Sequence, residues 1–505
     1  MRVLSQRRFG GLFPVRAGRL GTVARPRPML QLALGIALGI SLTEWLALPI
    51  APSVGLGLLG LILALGMPHW AWLAIGLALG AIRYDAWRTP PVQTPPSVAI
   101  LHAIGTLEPT RNGYRLLCAF ESPSLPTYAL VYFRPNVMRL PDYGDVFQVQ
   151  VSWRRPTRFQ GFDWARYLER RRVYHLATVF SERQFEILQS GEGRWQRRFS
   201  AARRSLRETA RRRLSPDAAA TLEGMLVGAT GDFPPQLREA FHQSGIGHLL
   251  ATSGLHVAIA LHLVYFALRW TPTPFAARVG LVILAAWCYA LLAGLRPSIV
   301  RAATMATCAL CAPLVGRETD SLNALGFAGA LWLLIAPHAL FEVGFQYSFC
   351  AVLFILLFYG RLERGLRGAA QQVGVPLASG IHSTFLQKLV LPLVSVSLCA
   401  QAGISLVQLY HFGYLSLLAP VANLLAVPMA YPTLAMGFWF WLSQGVGVGL
   451  VEGLCAWQKW VALTFSGDWV PAIHGVGVPA WAAIGFYGCV LLFAPEPPLG
   501  EAEAF

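Results

Sequence analysis

The stretch from Gly413 to Ser443, GYLSLLAPVANLLAVPMAYPTLAMGFWFWLS, decides how the chain is read. The hydrocarbon core of a bilayer is about 30 Å thick and takes about 20 helical residues. This run is too long for one span, and Pro420, Pro428 and Pro432 break it. Broken helices survive at membrane depth only where protein or a water-filled cavity satisfies the freed backbone groups. The stretch therefore predicts a packed bundle enclosing a cavity, not a simple anchor.

Further apolar segments flank it. They run over 245–268, 279–294, 298–315, 321–336, 340–359 and 385–409 on one side, and over 446–466 and 479–494 on the other. Three more come near the start, at 29–50, 54–67 and 69–83, the last two short for a full crossing. Of the 505 residues, 55% are hydrophobic and 13% charged, about half the charge of a soluble domain. The fold class that follows is a polytopic α-helical membrane protein of about 11–13 spans. One polar domain is inserted after the third span.

That polar domain, 97–190, alternates apolar and polar positions. Strands are expected near 98–107, 113–121, 128–134, 145–153 and 173–188, separated by turns at Asn112-Gly113, Ser122-Pro123, Pro135-Asn136 and Arg155-Pro156. Five short strands suit a small OB-like β barrel. The rest divides into a basic tail at 1–28, anchors at 29–84, a basic helix and linker at 191–240, the main bundle at 241–495 and a tail at 496–505.

Charge gives the orientation. The net charge is +16, and residues 1–28 hold seven arginines and no acid, so the N-terminus is expected inside the cell. Three spans then place 97–240 outside. Later crossings bring Arg269 and Arg278, then Arg317, then the Arg361, Arg364 and Arg367 cluster of a 360–384 loop, back inside. The basic polar domain thus lies outside, which calls for an anionic ligand there.

Residues 194–213 contain nine arginines and one acid, Glu208, with Trp195, Phe199, Ala202, Leu206 and Ala210 at helical spacing. Such a basic amphipathic helix lies on anionic lipid or contacts nucleic acid, and the two readings stay open. Of the cysteines, Cys118 stands alone in the polar domain, and Cys308-x-x-Cys311 sits in an apolar segment with no second pair, so no metal is expected.

Three ordered motifs mark the bundle. The first is Gly245-Ile-Gly-His-Leu-Leu-Ala-Thr-Ser-Gly-Leu-His-Val257. The second runs from Gly294-Leu-Arg-Pro-Ser-Ile-Val-Arg301 through Ser321-Leu-Asn-Ala-Leu325 to Gly344-Phe-Gln-Tyr-Ser-Phe349. The third spans Phe412 to Pro428. Together they resemble the membrane domain of the ComEC family of bacterial competence proteins. The polar insert, with Gly161-Phe-Asp-Trp-Ala-Arg-Tyr-Leu168 near its end, is similar to that family's exported OB-like domain. The resemblance implies a multi-pass channel of the bacterial inner membrane. It would pass single-stranded DNA into the cytoplasm during natural transformation, alongside the DNA-uptake machinery and membrane lipids. Many members carry a C-terminal metallo-β-lactamase-like domain. No H-x-H-x-D-H run is present here, so no catalytic residue, cofactor or metal is expected. Either a separate nuclease then removes the second strand or its removal happens otherwise, and a cytoplasmic motor is a further candidate partner.

Candidate residues follow from chemistry. Aromatic rings stack bases and arginines follow phosphates, which singles out Tyr128, Tyr132, Arg134, Trp153, Arg154 and Arg155 in the polar domain. In the basic helix it singles out Arg203, Arg204, Arg211, Arg212 and Arg213. Alternate strand residues face opposite ways, so about half of the first group must be core. In the bundle, His248, Ser253, Gly254, His256, Gln346, Ser348 and Asn423 either line a pore or make interhelical hydrogen bonds. Arg296 and Arg301 are costly at membrane depth and should face a cavity or the water boundary. Ser253 and His256 lack an acid to orient the imidazole. Two other functions remain: a secondary transporter of a small anion, for which no internal repeat is seen, and a polytopic enzyme acting on lipid-linked substrates, whose acids Glu342, Glu452 and Asp468 are scattered.

Overall fold

The computed structural model describes residues 27–46, 70–87 and 94–493, apart from 106, 111, 123–126, 158–162, 192–194, 230, 232, 317–319 and 373–385. The expected span at 54–67, nearly all of the basic tail and the tail at 496–505 lie outside the described residues.

Helices α1 (Pro28–Leu46) and α2 (Ala71–Trp87) run parallel, backbone against backbone. Their contact is made by two glycine pairs spaced four apart. A Cβ on Gly35, Gly39, Gly76 or Gly80 would fall 2.1–2.3 Å from a carbonyl oxygen of the facing helix. Without side chains at these points, dispersion between the two backbones is maximal, the usual reason small residues line such interfaces. Both helices deliver their C-terminal ends to the β domain. Glu44 meets Arg166 and Arg170 at 3.0 and 2.8 Å, and the Trp87 indole donates to the Arg170 carbonyl.

The β domain comprises β1 (Val98–Ala103), β2 (Glu108–Thr110), β3 (Gly113–Phe120), β4 (Tyr128–Phe133), β5 (Val146–Gln150), α3 (Trp164–Arg170), β6 (Val173–Val179) and β7 (Phe185–Gln189). Alternation set most strands as expected, with two corrections. The first strand ends at Ala103, and a further short strand, β2, pairs with β3. The expected strand at 173–188 is two, because Ser181 caps a 3-10 turn that bends the chain after Val179. The sheet order is β6-β4-β3-β1-β5-β7, with β4 and β6 parallel and the other pairs antiparallel. An isolated bridge between Arg154, just beyond β5, and Leu176 of β6 joins the two sides. Leu101, Leu116, Phe133 and Phe147 fill the interior.

The bundle follows: α4 (Trp195–Arg213), α5 (Pro216–Val227), α6 (Pro235–Gln243), α7 (Gly254–Leu268), α8 (Phe275–Leu292), α9 (Pro297–Cys311), α10 (Ser321–Ile335), α11 (Val343–Gln372), α12 (Leu391–Phe412), α13 (Ala419–Leu442), α14 (Val448–Thr464) and α15 (Ala480–Phe493). Among the described residues six helices are long and apolar enough to cross a membrane, and three apolar ones are shorter. The protein is therefore a helical membrane protein carrying a small β domain.

Two expectations are corrected here. The stretch from 413 is not broken at its prolines. After a short strand, β8 (Tyr414–Ser416), paired to β9 (Ala472–His474), it forms one continuous helix, α13. Pro420 sits in the first turn, where its missing N–H costs nothing. Ahead of Pro428, the Trp457 indole and the buried Gln458 amide of α14 donate to the carbonyls of Leu425 and Ala426, each at 3.0 Å. A neighbouring helix thus pins the turn just before Pro428 with side-chain donors. The second correction concerns 360–384. Helix α11 continues to Gln372, and its 30 residues carry the arginine cluster on helical turns instead of a loop.

Candidate functional site

Helix α4 joins the β domain to the bundle. Its apolar stripe is buried, with Leu206 and Ala210 essentially inaccessible within the main core. Its arginines reach in two directions. Towards the β domain, Arg197 meets Asp145 and Arg204 meets Asp142, both at 2.8 Å. Towards the bundle, Arg207 and Arg211 clasp Glu223 of α5 at 3.0 and 3.2 Å. Asp142, Asp145 and Glu223 are all buried. Buried carboxylates persist only when paired and hydrogen-bonded, and these pairs fix α4 as a strut. The helix is therefore embedded in protein on one face, and Arg212 stays at the surface, 3.7 Å from Glu208.

Above this strut is a cavity of about 400 Å³, walled by the β domain, α4, α5, Arg238 of α6 and the turn between α8 and α9. Six arginines line it: Arg115, Arg203, Arg204, Arg207, Arg238 and Arg296. Three acids, Glu108, Asp142 and Glu223, oppose them. Arg115 is neutralised by Glu108 at 2.7 Å. Arg203 makes no ion pair among the described residues, and its buried Nε has no hydrogen-bond partner. Arg296 precedes α9 and donates through Nη2 to the carbonyl of Gly228, the left-handed residue that ends α5. A Cβ on Gly228 would stand 2.6 Å from Arg296 Nη1, so both its φ of +68° and its lack of a side chain are required. The cavity thus holds more positive than negative charge in a recess where screening is weak.

The bundle motifs converge below it. Arg301 lies five residues further along α9 and donates through Nε to Ser348 of α11 at 2.8 Å, while Gly254 opens α7 directly beside it. Ser253 and His256 also meet, with Oγ and Nδ1 2.9 Å apart. That imidazole nitrogen already accepts the backbone N–H of Ser253 at 3.0 Å, so the pair caps the start of α7. Gln346 donates to the Leu340 carbonyl and accepts from His411 at 2.8 Å. The His248 ring lies 3.2 Å from the Gly245 carbonyl, and the Asn423 Oδ1 is buried without a partner.

The candidates of the β domain are placed apart from the cavity. Tyr128 and Tyr132 pack with Leu168 of α3 on the outer face of the sheet. Trp153 rests against Phe120 and His175, with ring centroids 5.2 and 6.1 Å away, and its indole donates to Pro96. Arg134, Arg154 and Arg155 are exposed. Burial and the neighbouring Arg155 push the His175 imidazole down to about 4. Arg213 lies against Gly445 at the other end of α4. Sequence reasoning missed Arg115, Arg207 and Arg238 at the cavity. One signal was available: Glu223 is an acid in the middle of an apolar run, Ala218–Val227, and such a group requires a cationic partner. Among the described residues no three His, Cys, Asp or Glu side chains gather as a metal site.

Comparison with known proteins places the bundle in context. The sequence profile described as "Competence protein" matches residues 225–495, which includes Gly228, Arg238, Arg296 and Arg301. ComE operon protein 3 of Bacillus subtilis (strain 168) is 32% identical over 216 residues, covering 43% of this chain and 25% of that protein. An uncharacterized protein of Aquifex aeolicus (strain VF5) is 33% identical over 192 residues, covering 36% of this chain and 46% of its own length. The chain thus matches a quarter of one relative and under half of the other. No solved structure matches it.

Proposed function

The chain belongs to the competence protein family, and from that premise we propose that it is a DNA-uptake channel of the bacterial inner membrane, passing a single strand from an exported OB-like domain into the cytoplasm. The observation that carries this reading is the arginine-lined cavity of about 400 Å³ between the β domain and the bundle. A polyphosphate backbone needs cationic side chains along its path, held by a scaffold that does not collapse onto them. The strut α4 meets that need.

The orientation reading is supported by which helix ends meet the β domain. The C-terminal ends of α1, α2 and α10 and the start of α11 lie at that end, through Glu44, Trp87, Arg83 and Glu342. At the opposite end Arg27 meets Asp320 at 3.2 Å, and Met29 N–H donates to Asn323. Charge asymmetry in the sequence assigns the first end to the outside and the second to the cytoplasm. The OB-like reading is supported by the parallel β4–β6 pair and by the Arg154–Leu176 bridge, which brings β5 round to β6 as a closed five-strand barrel requires. We read the chain as a transporter, not a hydrolase, with DNA-uptake components, a nuclease and a motor as separate partners.

The deciding experiment is deletion of the gene in a transformable host. Transformation by linear DNA should fall by several orders of magnitude while duplex DNA still binds the cell surface. Unchanged transformation would end this reading.

A further inference from the structure

We infer that Arg301, at the amino end of α7, is a second station for a backbone phosphate, inside the bundle and beyond the cavity. The inference rests on the translocation reading above. Arg301 is 7% exposed. Its guanidinium contacts Ser348 Oγ at 2.8 Å and Met305 Sδ at 3.7 Å, and lies 6.0 Å from the centre of the Phe349 ring. None of these carries charge, and among the described residues it makes no ion pair. A buried cation without a counter-ion is costly, and other cations of the bundle show how that cost is avoided: Arg207 meets Glu223 and Lys459 meets Asp217.

The free edge of this guanidinium has a direction. Its Nη2 lies 3.1 Å from where a Cβ on Gly254 would be, so it faces the first residue of a 15-residue helix. The first N–H groups of a helix have no carbonyl of their own helix to bond and carry partial positive charge. The Ser253 cap takes up the His256 N–H, so it is the N–H groups of Gly254 and Leu255 that face the guanidinium, with no anion between them among the described residues. A second observation links the point to the cavity. The hydroxyl of Thr252, two residues before Gly254, is fully buried and has no hydrogen-bond partner. It borders the same spot at Gly228 as Arg296 Nη1. Arg203 and Arg296 line the cavity, Thr252 Oγ1 stands beside Arg296 at Gly228, and Arg301 follows at Gly254, two residues further along the chain from Thr252. Arg296 and Arg301 are separated by about 7.5 Å along the helix axis, at 1.5 Å per residue.

The ligand is a phosphate ester anion, and the strand backbone is its source in this proposal. The test uses the full chain in nanodiscs of zwitterionic lipid, as wild type, Arg301→Met and Arg301→Lys. Removing an uncompensated buried charge should raise the Tm of the resting Arg301→Met protein by a few degrees. The same variant should lose at least half of the Tm rise that oligothymidylate gives the wild type, and transformation should drop at least tenfold. Arg301→Lys should keep most of both. Wild-type uptake and an unchanged oligothymidylate response in Arg301→Met would overturn the proposal. Should Arg301→Met fail to fold, Gly254→Ala places a methyl beside Nη2 and must reduce the oligothymidylate response; an unchanged response overturns the site. A Tm rise given by anionic lipid or by inorganic phosphate alone, and not by oligothymidylate, assigns the site to those sources and equally overturns it. Failure of the parent reading is distinct: there, deletion of the whole gene leaves transformation intact.

Discussion

The arginines of α4 and the arginine at the heart of α9 are held in opposite ways. On α4, Arg197, Arg204, Arg207 and Arg211 meet buried acids at 2.8–3.2 Å, and the pairs bind the β domain to the bundle. On α9, Arg301 is more deeply buried and meets only a hydroxyl, a thioether and a ring. Four arginines of the most basic stretch of the sequence are thus spent on architecture, while an isolated arginine in an apolar motif is left with unused hydrogen-bonding capacity. Charge density along a sequence does not report charge availability in the fold; pairing does.

The sharpest way to break this contrast is to remove an acid from the paired side. Glu223→Ala leaves Arg207 and Arg211 without their shared carboxylate and should cost about 3–5 kcal/mol, read by thermal or denaturant unfolding in detergent. A loss below about 1 kcal/mol would mean that the two groups of arginines are not held differently. A third way to hold a basic group, keeping it neutral, is found at His175. Its folded value of about 4 lies below the ordinary 6.5, so the unfolded chain takes up a proton first. Stability of the β domain should be complete above about pH 6.5 and fall towards pH 4, by a total on the order of 2–3 kcal/mol. His175→Phe should flatten that slope, and a slope that persists in the variant would move its origin elsewhere.

Smaller effects sharpen the comparison. A double-mutant cycle on Arg204 and Asp142 should return a coupling of about 1–2 kcal/mol, reduced because half of the arginine side chain is solvated. Single-strand binding by the full chain gives the finest discrimination. Arg203→Gln should lower the log–log salt slope by about 0.7, the value of one phosphate contact on single strands, without changing Tm. Arg207→Gln should do the reverse. Equal slopes in the wild type and Arg203→Gln would remove Arg203 from the strand's path.

Much of this architecture could be read from the residues alone. The segments expected at 298–315 and 321–336 match α9 with its 3-10 extension and α10 to within a residue, because a run of apolar residues bounded by charge or Pro has few alternatives in lipid. The strands were legible through their alternation. What escaped was tertiary. The helix runs on through Pro428 with its preceding turn held by Trp457 and Gln458, which lie on another helix. The extension of α11 past 360 follows from helical propensity in a polar segment, where hydropathy is silent. The pairing of Arg301 with Ser348 joins positions 47 residues apart, and no local pattern reports it. Both residues were nevertheless singled out one by one, since polar groups in an apolar run require an explanation. The tyrosines of β4 illustrate the converse: the strand was foreseen, but which face α3 covers was not.

The glycine contact between α1 and α2 also has a genetic consequence. Every glycine codon begins with two guanines, and a change in either base replaces the residue with one that carries a side chain. At Gly35, Gly39, Gly76 and Gly80 even a single methyl would collide with a facing carbonyl at 2.1–2.3 Å. No stepwise route through alanine is open at these four sites unless the two backbones move apart together. Drift in this helix pair should therefore be confined to its other positions, while these four act as fixed points in the gene.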